Sequence, residues 1–167
     1  MSHPISALGA GHTAISLVPL VAGLYSFARY WHIDASRLPG KIYVAGLLLS
    51  VLTSFGLSSS GGLNAGHVVG ILTLMAVYGA LAVSRLPLPL SIQPYLSRFG
   101  FSFSFFLLMV PGLSETLMRL PASHPIADGP QAPVLRVVLA AWLLIFLAGF
   151  AWQCWQIRSQ GRNGRTT

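Results

Sequence analysis

VLRVVLAAWLLIFLAGFAWQCWQI, residues 134 to 157, decides how this chain folds. Between Arg136 and Gln153 every side chain is apolar, and a helix built from the whole run crosses the roughly 30 Å hydrocarbon core of a bilayer. Working outward, four more runs meet the same test: Leu8 to Tyr30, Ile42 to Leu57, Leu63 to Leu86 and Phe99 to Leu120. The second is short and ends in the polar run Ser58-Ser59-Ser60-Gly61-Gly62. All five read as helices, because an unpaired backbone amide in hydrocarbon costs several kcal/mol and the alternating polarity of a barrel strand is absent. Composition agrees: 54% of residues are hydrophobic and 8% charged, where a soluble domain carries about a quarter charged. The expectation is an all-α polytopic transmembrane bundle of about five spans, one domain over residues 1–157, with a basic, disordered tail over 158–167.

The basic residues orient that bundle. Arg29, Arg37, Lys41, Arg85, Arg98, Arg158, Arg162 and Arg165 fall at one set of span ends, against Arg119 and Arg136 at the other. By the positive-inside rule the amino terminus lies outside and the carboxyl terminus inside, as an odd number of spans requires. Tyr30, Trp31, Tyr43, Tyr95, Trp152 and Trp155 collect near the inner boundary, where amphipathic rings sit at headgroup level. No basic n-region or trusted cleavage site precedes the first span, so it is read as retained, with the mature protein beginning near Met1. The expected location is a bacterial inner membrane. A net charge of +7 does not point to nucleic acid, because the excess is scattered among loops rather than gathered into a stripe. The single cysteine, Cys154, excludes an intramolecular disulfide and a thiolate metal cage. There is no internal repeat of the kind that marks inverted-topology transporters.

Polar residues inside the spans are the candidates for function, since the bilayer makes them expensive. His12 and His67 each lie about one turn into spans that run parallel, so both approach the outer face. The fourth span runs the other way and returns Glu115, Thr116 and Arg119 to that face, joined by Asn64, which shares a face of the third span with His67, and by His124 and Asp128 from the following loop. Stepping by three or four from His12 gives Ser16, Pro19, Gly23, Ser26 and Tyr30, a small or polar stripe suited to helix packing. Pro111 and Gly112, one turn before Glu115, are expected to kink or open the fourth helix. Glu115 and Arg119 are spaced to neutralise each other across one turn.

Two stretches, Arg37-Leu38-Pro39-Gly40-Lys41-Ile42-Tyr43-Val44 and Glu115-Thr116-Leu117-Met118-Arg119-Leu120-Pro121 with His124-Pro125, resemble segments of an uncharacterised family of bacterial multi-pass membrane proteins. The opening helix with His12 is similar too. In that family a histidine commonly precedes the basic residue of the Gly-Lys/Arg-Ile-Tyr-Val stretch; here Ser36 stands before Arg37, and the nearest histidine is His32.

Three functions compete. In the first, His12 and His67 bind a b-type haem, a layout similar to b561-type membrane cytochromes, or take a transition metal together with Glu115. In the second, Glu115 titrates against Arg119 in a small-solute or proton-linked transporter. In the third, the chain is a non-catalytic membrane subunit or assembly factor whose partners are the bilayer and a second copy or another membrane subunit. No nucleophile elbow, Walker loop, dinucleotide fingerprint or His-Glu-x-x-His occurs, so soluble-type enzymology is not expected.

Overall fold

The computed structural model describes residues 7–56, 65–121 and 123–163. They form a helical bundle: α1 (Ala7–Tyr30), α2 (Leu38–Phe55), α3 (Ala65–Ala82) with a 3-10 turn at Val83–Arg85, α4 (Gln93–Arg119) and α5 (Pro133–Asn163). All five helices are long and apolar enough to span a membrane. The chain is thus a multi-pass, all-α membrane protein.

Three helix ends run well beyond the hydropathy reading. α2 and α4 begin before Ile42 and Phe99 because Pro39 and Pro94 sit in their first turns, where a missing N–H costs no helical hydrogen bond. α5 continues through Arg158 to Asn163, so the tail read as disordered from residue 158 is helical for its first turn and more. Residues 164–167 lie outside the described set. α4 also runs unbroken through Pro111 and Gly112, so the expected opening below Glu115 is not present.

The bundle is built as two units. α1 packs along α2 as one hairpin, while α3, α4 and α5 pack in sequence order as the other. Smaller contacts, α2 on α3 and α1 on α4, join them. The α1 and α3 backbones do not approach closely, and α2 packs on both helices.

The small-residue stripe of α1 makes these approaches possible. Ser16 Oγ meets Ser50 Oγ at 2.7 Å. Pro19 is buried against Gly46, where a Cβ would come within 2.9 Å of the proline ring. Gly23 admits the Phe105 ring of α4, which would stand 2.5 Å from a Cβ there. Above this lies the core of Tyr43, Leu47, Val77, Phe101 and Phe105.

Tyr43 is fully buried and its hydroxyl lies 2.8 Å from Ser104 Oγ, bridging the two units through side chains. Ser104 Oγ already donates to Phe101 O, so it accepts from Tyr43. Tyr43→Phe is expected to cost about 1 kcal/mol, the net worth of one such bond, in reversible unfolding from detergent micelles. A loss as large as that of Tyr43→Ala, roughly 3 kcal/mol or more, would show that the hydroxyl does something other than tie α2 to α4.

Candidate functional site

At one end of the bundle the polar residues are structural ties. His12 Nδ1 lies 2.9 Å from Thr53 Oγ1, and that hydroxyl spends its proton on the Leu49 and Ser50 carbonyls, so the imidazole donates. His67 is buried, its Nε2 lies 3.2 Å from the Ser54 carbonyl, and its ring stacks on Phe55 at 4.7 Å. An accepting carbonyl makes Nε2 the donor. The two histidines thus share a level, as their depth in the sequence implies, and they bind neighbouring residues of the last turn of α2, one from α1 and one from α3. One ring nitrogen of each histidine is thus taken up in a tie to α2.

The remaining candidates at this end do not join them. Glu115 pairs with Arg119 one turn on, both side chains well exposed on the surface of α4. Thr116 Oγ1 donates to the Gly112 carbonyl of its own helix, and His124 is exposed in the following loop. Asn64 lies outside the described residues. Among the described residues no group of three or more His, Cys, Asp or Glu side chains is placed to hold a metal ion, so His12, His67 and Glu115 do not form the expected ligand set. Depth along a helix was legible; the side of the helix on which each residue meets its neighbours was not.

The opposite end holds a cavity. It measures about 440 Å³ and lies on the seam between the two units. On one side stands the α1–α2 loop with His32, Asp34 and Ser36; on the other stand the end of α3, Ser84, and the start of α4 with Gln93, Ser97 and Arg98. Phe101, Ala80 and Leu81 form its apolar floor.

The loop is held in shape from within. Asp34 Oδ1 accepts from the Ser36 amide at 2.9 Å and its hydroxyl at 2.7 Å, while Oδ2 accepts from Arg37 Nε at 3.2 Å. The Arg37 guanidinium lies over the Tyr30 ring, 4.4 Å from its centre. His32 Nδ1 donates to the Tyr30 carbonyl at 2.8 Å.

Gln153 then clamps the loop to the other unit. Buried on α5, it donates from Nε2 to the Trp31 carbonyl at 2.9 Å and accepts at Oε1 from Ser102 Oγ at 3.0 Å. Trp31 itself sits at φ 64°, the left-handed conformation that turns its carbonyl toward α5. Arg98 Nη1 reaches the Gln153 carbonyl at 3.4 Å, which leaves the other guanidinium donors beside the cavity.

Burial pushes the His32 imidazole below its ordinary 6.5, and the Arg98 charge pushes it the same way, against the opposing pull of the Tyr30 carbonyl and Asp34. Asp34 is held below the usual carboxylate range: burial would raise it, but the Ser36 hydroxyl and amide and Arg37 outweigh that. Both shifts have the same sign in their effect on stability. Folded His32 releases its proton more readily than the unfolded chain does, so its contribution is full above about pH 6.5, shrinks as the pH falls below that, and levels off once the folded ring is protonated as well. Asp34 contributes above its ordinary value and loses that only near pH 4 and below. The melting temperature in detergent is expected to drop between about pH 7.5 and pH 5.5, and the drop to shrink in His32→Gln. An equal drop in the variant would assign the acid sensitivity elsewhere.

Arg98, Ser97 and Gln153 carry this end, and hydropathy reading passed over all three. Arg98 counts there only as a topology determinant. Gln153 did leave a signal, as the first amide after sixteen apolar residues of the most apolar span, where polar side chains are expensive. Comparison of the chain with protein-family models, curated proteins and solved structures finds no match, so the site rests on its own geometry.

Proposed function

We propose that this protein is a small-solute carrier of the membrane whose binding site is the cavity around Arg98 and His32, at the cytoplasmic end of the bundle. The observation that carries the reading is the position of that cavity: it lies where an α1–α2 hairpin meets an α3–α4–α5 unit, with lining from both. Carriers commonly work by rocking one helical unit against another around a fixed site. A seam held by a few side-chain bonds, Tyr43 to Ser104 and Gln153 to Trp31, with smaller helix contacts than either unit has internally, supports such motion.

Arg98 supports an acidic solute. It is the cation of the cavity wall, while the acid on the wall, Asp34, is already neutralised by Arg37. This places the transport reading at the opposite end from Glu115 and Arg119, whose exposed pair is closed on itself. The test is exchange in proteoliposomes loaded with a panel of small acids: carboxylates, phosphate esters and sulfonates. Exchange of at least one acid that disappears in Arg98→Gln is the expected result, and a panel with no Arg98-dependent exchange overturns the reading. The haem reading makes a contrasting claim, a Soret band that vanishes in His12→Ala. The ties of both histidines to α2 favour instead a variant with the absorption spectrum of the wild type and lower stability.

A further inference from the structure

Hydroxyls on the described helices follow one habit, with one exception. Ser16, Ser26, Thr73, Ser114 and Thr116 each donate to the carbonyl four residues back, and the others find a carbonyl or a side chain nearby. Among the serines and threonines of these helices, Ser97 makes no side-chain hydrogen bond within the described residues. It lines the cavity next to Arg98. A helical serine normally satisfies itself on its own backbone; half-buried Ser97 does not, so its hydroxyl is available to a ligand in the cavity.

We infer that the cavity takes a phosphate ester, its phosphoryl oxygens on Arg98 and Ser97 and its organic part on the Leu81 and Phe101 wall; this rests on the cavity being the solute site proposed above. Three observations select the ligand class. Arg98 supplies positive charge, which requires an anion. One Arg98 Nη1 bond goes to the Gln153 carbonyl, and the remaining guanidinium N–H groups together with the Ser97 hydroxyl offer donors from two side chains, more than the two oxygens of a planar carboxylate need. Diverging donors suit a tetrahedral set of oxygens. The start of α4 does not do this work itself: the Gln93, Tyr95 and Leu96 amides already bond to Pro89 and Ile92 carbonyls, and Pro94 has none. The apolar part of the lining, finally, has no use for inorganic phosphate but accommodates a carbon chain.

The same chemistry is offered by a soluble phosphomonoester and by a lipid headgroup, and the test separates them. Purified protein in a neutral maltoside detergent is titrated with glycerol 3-phosphate, with short-chain phosphatidylglycerol, with succinate and with inorganic phosphate, following the melting temperature and the dissociation constant. Stabilisation by glycerol 3-phosphate or phosphatidylglycerol beyond that by inorganic phosphate is expected, whichever of the two is stronger naming the source. Affinity should fall roughly 10- to 100-fold in Arg98→Gln and roughly 3- to 10-fold in Ser97→Ala. Ser97→Ala removes no bond in the free protein, so its loss of affinity is not a folding effect. Arg98→Lys, which retains the charge, is expected to keep part of the affinity and guards against a fold lost in Arg98→Gln. Succinate as the sole Arg98-dependent ligand overturns the phosphate assignment and leaves the carrier reading standing. Phosphate-ester binding without exchange in proteoliposomes overturns the carrier reading and leaves the ligand assignment. No Arg98-dependent binding of any probe overturns both.

Discussion

Gly40→Ala is expected to cost roughly 3 kcal/mol or more and to leave little well-behaved protein in detergent. Gly40 lies in the first turn of α2 directly against the preceding loop, where a Cβ would stand 2.0 Å from the Asp34 carbonyl oxygen, 2.5 Å from its carbon and 2.9 Å from the Ala35 nitrogen. All three obstacles are backbone atoms, so no rotamer change relieves the clash. Either α2 backs away from the loop, or the Asp34 turn opens and gives up the Arg37 amide bond to its carbonyl together with the Ser36 and Arg37 bonds to its carboxylate. Both routes deform the wall that carries His32 and Asp34. Gly79→Ala is the matched control: nothing stands within 4 Å of a Cβ there, so the same methyl inside a helix should be neutral or stabilise by about 0.5–1 kcal/mol. Thermal unfolding and size-exclusion profiles of the two variants decide the matter. Wild-type behaviour of Gly40→Ala would mean that the close approach of α2 to the loop is not required.

Gln153→Leu is expected to have the next largest effect, a loss of about 1.5–3 kcal/mol in reversible unfolding. Leucine keeps the volume of the side chain and suits a membrane helix, so a hydropathy argument expects gain. What it removes are the two bonds that join α5 both to α4, through Ser102, and to the α1–α2 loop, through the Trp31 carbonyl. Because Gln153 is 97% buried and Ser102 is buried beside it, the abandoned hydroxyl gains no ready access to water, and its desolvation adds to the two lost bonds. Otherwise α5 packs on α4, through the ladder of Phe99, Phe103 and Phe106 against Phe146, Phe150 and Trp142, and reaches the loop through the Trp31–Trp152 ring pair, 6.4 Å between centres. Ser102→Ala, which removes only the α4 arm, should cost about half as much. The Trp31 arm becomes visible as the difference, and equal losses in the two variants would assign it no energetic weight. Affinity for the cavity ligand should also weaken in Gln153→Leu, since the same residue sets the loop against α4.

The structure also accounts for the segment that links loop and helix, Arg37 to Val44. Arg37 braces Asp34 and covers the Tyr30 ring, Pro39 starts α2, Gly40 admits the Asp34 carbonyl, and Tyr43 reaches Ser104. Each of these residues has a packing or bonding task, and none of those named lines the cavity.

Spans, and the levels at which residues lie, follow from sequence because a bilayer imposes one dimension: an apolar run must match the hydrocarbon thickness, which sets each helix along the membrane normal. That argument finds the five helices and brings His12 and His67 to one level. The stripe from His12 through Ser16, Pro19, Gly23 and Ser26 was legible for a related reason, since small residues at helical spacing are worth little against lipid and much against another helix. Rotation about the helix axis and the order of neighbours obey no such rule. They are set by which small residues meet which bulky ones, Gly23 with Phe105 and Gly46 with Pro19, and these contacts pack α1 and α3 each on α2, to which both histidines bond. The same packing joins Arg98, Ser97 and His32, from helices and a loop remote in sequence, around one cavity. Hydrophobic length acts on each segment singly, whereas a binding site is a property of how segments meet, and only tertiary packing decides that.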